Sequence, residues 1–251
     1  MDKRRAGLLP LDAMAAAAPD VRVSAAPAGT PSRRHFVLRR LHSLTGVIPL
    51  GVFLVEHLWT NAHVLYGPES FARAVAFIQR LPLLLALEIV GIFLPLAYHS
   101  LYGIAIAIRG RANVIGYPYT RNWLYVLQRA SGFVSLAFIL VHLWQYRVQK
   151  ALGTIPWPHF YHRLEIDLNR APLFALYVTG LTATVFHFAN GLWLAANSWG
   201  VTISERSQRR AGWICLVFGS LLWAFGMNIL LHFAFRCGGL VPLPGQTVCL
   251  H

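Results

Sequence analysis

The chain has 251 residues, of which 56% are hydrophobic and only 12% charged, and it carries a formal net charge of +13. So little polar surface cannot cover a soluble globule, and a membrane protein is the class that fits. The positive charge would suit nucleic acid, but the basic residues lie between apolar runs rather than along one soluble face. Membrane topology explains them, and no nucleic-acid partner is expected.

Residues 1–32 are rich in Ala and Pro, begin with Lys3, Arg4 and Arg5, and show no apolar period. They are expected to form a disordered extension. Pro10 and Asp12 interrupt the apolar core that a cleavable signal peptide needs.

Five apolar segments follow, over 36–62, 82–108, 123–147, 172–198 and 211–235. Each is long enough for the roughly 20 residues that cross a bilayer as a helix. The fold class is therefore all-α, an integral membrane bundle of five transmembrane helices within residues 33–235, followed by a tail at 236–251. The second segment exceeds a perpendicular span and has Pro95 one turn before His99, which predicts tilt and a kink. Between the third and fourth segments, 154–170 alternates aromatic and charged residues and predicts a short amphipathic helix on the outer surface.

Loop cations set the orientation. Arg33, Arg34, Arg39 and Arg40 precede the first segment, Arg109, Arg111 and Arg121 join the second to the third, and Arg206, Arg209 and Arg210 join the fourth to the fifth. This predicts a cytoplasmic N-terminus and an extracytoplasmic C-terminus in a bacterial-type cytoplasmic membrane. Cys215, Cys237 and Cys249 form no CxxC pair and no CxxCH, so they encode neither a cluster nor a covalently attached haem. A disulfide between Cys237 and Cys249 is open to an extracytoplasmic tail.

Four segments hold a histidine deep in the apolar region: His57, His99, His142 and His187. His57 lies seventeen residues beyond Arg40 and His142 thirteen beyond Arg129, whereas His99 is ten residues before Arg109 and His187 twelve before Trp199. At about 1.5 Å per residue, the first two fall in the outer half of the membrane and the last two in the inner half. A lone intramembrane histidine is more often an interhelical hydrogen-bonding residue. Four of them, in two pairs at two depths on four helices, match bis-histidine ligation of two haem b groups. Gly46 falls on the helical face of His57 and Gly180 on that of His187, where a ring edge can approach the backbone. His42 and His57 share a helix at a spacing that also suits two ligands, but no second helix repeats it. His42 and His232 have no obvious partner at their depths.

The segments RRLHSLTGVIPLGVFLVEHL (39–58), LEIVGIFLPLAYHSLYG (87–103), RNWLYVLQRASGF (121–133) with VHLW (141–144), and FHFANGLW (186–193) with WGVTISERSQRR (199–210) together resemble the cytochrome b membrane anchor of succinate dehydrogenase. The likeness is to the single-polypeptide, five-helix, dihaem kind, shared with some fumarate reductases, and covers about residues 33–232. It implies His99 and His187 as ligands of the haem proximal to the cytoplasmic subunits, and His57 and His142 as ligands of the distal haem. It also implies a flavoprotein subunit and an iron-sulfur subunit as partners, electron transfer to a membrane quinone, and menaquinone as that quinone.

Arg39 shares the His57 face about five turns toward the cytoplasm, so Arg39, His42 and Ser43 are candidates for the proximal propionates. Glu88, eleven residues before His99 on nearly the same face, is a candidate quinone or proton site near the distal haem. Glu56 points about 100° away from His57 and is a weaker candidate. Two other readings fit parts of the pattern: a haem b subunit of a hydrogenase or formate dehydrogenase, and a haem-free transporter or structural anchor.

Overall fold

In a computed structural model, residues 33–235 are described; the expected extension at 1–32, the tail at 236–251 and the Cys237–Cys249 pair lie outside them. Five helical stretches are long and apolar enough to cross a membrane: Arg33–Tyr66, Leu84–Arg109, Thr120–Ala151, Ala171–Ser198 and Glu205–Phe235. They match the five predicted segments, with ends that differ by a few residues.

The first span is built from α1 (Arg33–Val47) and α2 (Pro49–Ala62). Pro49 sits in the first turn of α2, where its missing N–H costs nothing. The second span comprises α4 (Leu84–Glu88), a π-helical turn at Ile89–Phe93 and α5 (Leu94–Arg109). Pro95 cannot donate a hydrogen bond back along the helix, and the wide turn directly before it takes up that defect. The third span is α6 (Thr120–His142), which runs through a second π-helical turn at Leu143–Val148. The fourth is α8 (Ala171–Ser198), ended by Gly200 at φ +76°, with the Val201 N–H donating back to the Ala196 carbonyl at 3.0 Å. The fifth is α9 (Glu205–Phe235), started by the reciprocal pair of Ser204 and Ser207, each backbone N–H donating to the other's hydroxyl.

The main helix contacts run in a ring, first to second, second to third, third to fourth, fourth to fifth and fifth back to first. The fourth and fifth spans approach most closely because small residues meet there. A Cβ on Gly219 would lie 2.6 Å from the Ala189 Cβ, and one on Gly226 would lie 2.7 Å from Leu181 Cδ1. The second span has no fully buried residue. Its exposed Leu85, Leu87, Val90, Leu94, Leu101 and Ile108 suit a lipid-facing surface.

The tightest packing lies at the end opposite the Arg-rich loops. A helix absent from the sequence expectations, α3 (Pro68–Gln79), buries Phe71 and Val75 one turn apart, with Pro68 and Glu69 in its first turn. The predicted amphipathic helix is present as α7 (Phe160–Leu168). It does more than lie on a surface, because Asp167 and Leu168 are 0% and 1% exposed. The Phe71 ring meets those of Tyr161 and Phe233 at 5.9 and 5.6 Å, so these short helices and the end of α9 form an apolar cap.

Candidate functional site

The four deep histidines come together across the ring of helices. The rings of His99 (α5) and His187 (α8) have centroids 6.0 Å apart with planes at 88°. Those of His57 (α2) and His142 (α6) are 5.7 Å apart at 81°. Two imidazoles binding one metal from opposite sides, each at about 2 Å, place their centroids roughly 6 Å apart. Both pairs have that spacing. All four residues are half-buried. Among the described residues no three His, Cys, Asp or Glu side chains converge as a metal site, and a haem asks the protein for only two ligands.

The nitrogens are arranged to suit this. His99 Nδ1 lies 3.0 Å from the His42 carbonyl oxygen, and His187 Nδ1 lies 2.9 Å from the Gln128 carbonyl oxygen. A carbonyl only accepts, so both Nδ1 atoms carry protons and both Nε2 atoms are left as the basic nitrogens, free to accept a metal. Gln128 reinforces the arrangement: its side-chain amide donates to the His187 carbonyl at 3.1 Å, while its Oε1 accepts from Asn190 at 2.7 Å.

At the other level, His142 Nδ1 meets the Tyr177 hydroxyl at 3.1 Å, and that hydroxyl donates to Gln145 Oε1 at 2.9 Å. His57 Nε2 lies 3.5 Å from the Asn61 amide nitrogen, too long for a useful bond. That amide instead donates to the His57 carbonyl at 2.7 Å.

Glycines make the room for rings from neighbouring helices. A Cβ on Gly46 would fall 2.4 Å from His99 Cε1, so Gly46 admits the imidazole of a neighbouring helix. Gly180 admits the Phe138 ring, whose nearest atom would be 2.1 Å from an added Cβ. The glycine that admits His187 is Gly132, at 2.9 Å from Cε1. It was not singled out because its neighbour comes from another helix.

His42 has a partner after all. Its ring stacks on His99 at 4.1 Å and 12°, and its Nδ1 is buried without a hydrogen bond. Ser43 Oγ accepts from the Trp199 indole at 3.3 Å, and the Arg40 guanidinium lies 5.3 Å over the same indole. Arg39 is exposed. Glu88 lies on the far side, where Oε2 accepts from Arg147 Nη2 and Nε at 2.7 and 2.9 Å, tying the two π-helical turns together. Lys150 and Gln79 are bonded nearby. Glu56 merely accepts from Thr60.

No family model matches the chain. It is similar to the succinate dehydrogenase cytochrome b558 subunit of Bacillus subtilis (strain 168), with 40% identity over 200 residues that cover 80% of this chain and 98% of that protein.

Proposed function

Because the chain belongs to the family of succinate dehydrogenase cytochrome b membrane anchors, we propose that it holds two haem b groups and relays electrons between an iron-sulfur subunit and membrane quinone. It is a multi-pass membrane cytochrome b subunit of that enzyme complex. In this reading His99 and His187 ligate the proximal haem and His57 and His142 the distal one. A flavoprotein and an iron-sulfur protein dock at the Arg-rich end, on the cytoplasmic side of the cytoplasmic membrane. When bound, the haems supply one-electron transfer.

The observation that carries the reading is the pair of perpendicular imidazole pairs at 6.0 and 5.7 Å. Three of the four rings have a partner for Nδ1, which leaves Nε2 as the nitrogen to bind iron. His42, Ser43 and the Arg side chains at the start of the first span are the donors for the proximal propionates. Arg40 and Trp199 join Arg39 in that set, since they border Ser43. Glu88, with Arg147, is the polar group that can position a quinone headgroup and take or give its proton, with menaquinone as the substrate.

The test is the reduced-minus-oxidised spectrum and the haem content of the purified complex. His99→Leu or His187→Leu is expected to lose one low-spin haem, and His57→Leu or His142→Leu the other. Retention of both haems in each variant overturns the ligand assignment. Absence of a haem b band from the wild-type complex overturns the cytochrome reading in favour of a haem-free anchor. Co-purification with a formate- or hydrogen-oxidising subunit instead of a succinate-oxidising one would favour the other dehydrogenases.

A further inference from the structure

A groove between α3 and the turn before α7 takes no part in the haem reading. It holds about 790 Å³ and is lined by Arg73, Phe77, Arg80 and Pro82 from α3 and the residues after it, and by Trp157 and Pro158 from the turn Trp157–His159. Small-molecule sites have volumes of roughly 300–1,000 Å³, so the groove has room for one. α3 joins the first span to the second, and the turn lies between the third and the fourth. The groove is therefore at the end opposite the Arg-rich loops, where the spans leave the membrane.

The two arginines share one side of α3. At about 100° per residue, Arg73 and Arg80 fall roughly 200° and 180° round the helix from buried Phe71, and Phe77, between them in sequence, falls at roughly 240°. Seven residues, about two turns or 10 Å, separate the arginines. One face of the helix is thus buried in the apolar cap, and the other presents two cations about an aromatic ring. Both arginines are exposed, and among the described residues neither has an ion-pair partner, Glu69 one turn before Arg73 included. At the same end Arg147, Arg163 and Lys150 are taken by Glu88, Asp167 and Gln79. Topology does not account for Arg73 and Arg80, since the positive-inside pattern places its cations at the opposite end.

We propose that this groove binds the headgroup of an anionic phospholipid. Guanidinium groups hold phosphate oxygens through charge-assisted, often bidentate hydrogen bonds. Exposed Phe77 supplies an apolar floor, and Trp157, packed against the buried core, is a residue of the kind that sits at headgroup level. A lipid fits better than a soluble anion because the chain passes directly from the groove into the lipid-facing second span, where Leu83 and Leu85 are 80% and 59% exposed. Acyl chains of a molecule held at Arg80 have that surface to lie on. An uncharged quinone would leave both guanidinium groups without an anion. The proposal rests on membrane insertion and is independent of the haem assignment.

The experiment is native mass spectrometry of the purified complex in detergent, titrated with phosphatidylglycerol as the anionic lipid, phosphatidylcholine as the zwitterionic one and glycerol 3-phosphate as a phosphate without acyl chains. Wild type is expected to bind one phosphatidylglycerol that the double variant Arg73→Gln/Arg80→Gln holds about thirtyfold more weakly, about fivefold for each arginine. Phe77→Ser weakens it by less, and Arg170→Gln, which removes an exposed cation at the same end, leaves it unchanged. Equal binding by wild type and the double variant, an equal loss in Arg170→Gln, or phosphatidylcholine binding with the same dependence on the two arginines overturns the proposal. Glycerol 3-phosphate bound as tightly as the lipid overturns it in favour of a soluble anion, and a protein lost from the complex in the double variant overturns it in favour of a partner chain. If the double variant fails to assemble, Arg73→Gln and Arg80→Gln decide singly: a loss of about fivefold in either supports the site, and no loss in either removes it.

Discussion

The two histidine pairs have nearly the same ring geometry and different surroundings. At the Arg-rich level, His99 and His187 are fixed by main-chain carbonyls of His42 and Gln128, and each imidazole fills the space left by a glycine on another helix. At the far level, the contact of His142 Nδ1 is with a side chain, the Tyr177 hydroxyl, which in turn donates to Gln145. His57 there has no carbonyl partner for its ring nitrogens. A pair held by backbone is insulated from substitution of the groups that hold it. A pair held by side chains is open to substitution of those side chains.

The largest expected break in this comparison comes from the glycines. Gly46→Ala gains roughly 1 kcal/mol of helix propensity, but its methyl would sit 2.4 Å from His99 Cε1, and His99 is tethered on its other side to the His42 carbonyl. Overpacking of this kind costs about 1–3 kcal/mol, so the clash wins and the proximal haem is lost or depleted while the distal one stays. Gly180→Ala presses instead on Phe138, whose ring stacks on His142 at 5.8 Å. It should perturb the distal haem and spare the proximal one. Separate haem quantification at the two sites checks both; the same haem lost from both variants would show that the two levels are not independently packed.

The contrast between these glycines also shows how far the sequence could be read. Five spans, the two levels and the membership of each level followed from run lengths, Arg positions and a rise of about 1.5 Å per residue, and the rings of His99 and His187 and of His57 and His142 do lie close together. Helical-face counting marks Gly46 and Gly180 as places where a ring can approach, but it does not say which ring a second helix brings there, His99 and Phe138. His42 was passed over for the same reason: its stacking partner, His99, is 57 residues away. Burial of Asp167 was equally hidden, since α7 alone shows only alternating aromatics and charges. The cap that covers it depends on α3, whose Phe71 and Val75 gave too short an apolar signal to register.

A second, smaller break concerns the polar groups at the far level. Glu88 and Arg147 have side chains 15% and 27% exposed, so the pair is mostly withdrawn from solvent. Glu88→Gln keeps the size and one acceptor but removes the proton carrier. Reduction of both haems by succinate should proceed normally, while quinone turnover falls by about 10²-fold, the usual scale of a lost general acid–base group. Unchanged turnover would remove Glu88 from the quinone site and leave it as a tie between the second and third spans.

The smallest effect is expected at a side chain that bonds the backbone of the proximal pair. Gln128 donates to the His187 carbonyl at 3.1 Å and accepts from Asn190 at 2.7 Å. The acceptor for His187 Nδ1, however, is the Gln128 main-chain carbonyl, which Gln128→Leu retains. The substitution leaves buried Asn190 without its acceptor, a cost of about 1–3 kcal/mol to stability, but it does not alter the bond that orients the imidazole. The thermal midpoint of the complex should therefore fall while the proximal haem keeps its low-spin spectrum and a reduced-to-oxidised ratio within about threefold of wild type, about 28 mV for one electron. A shift of about tenfold, about 59 mV for one electron, would mean that the proximal histidine is tuned through side chains, and the division between a backbone-held and a side-chain-held pair would not stand.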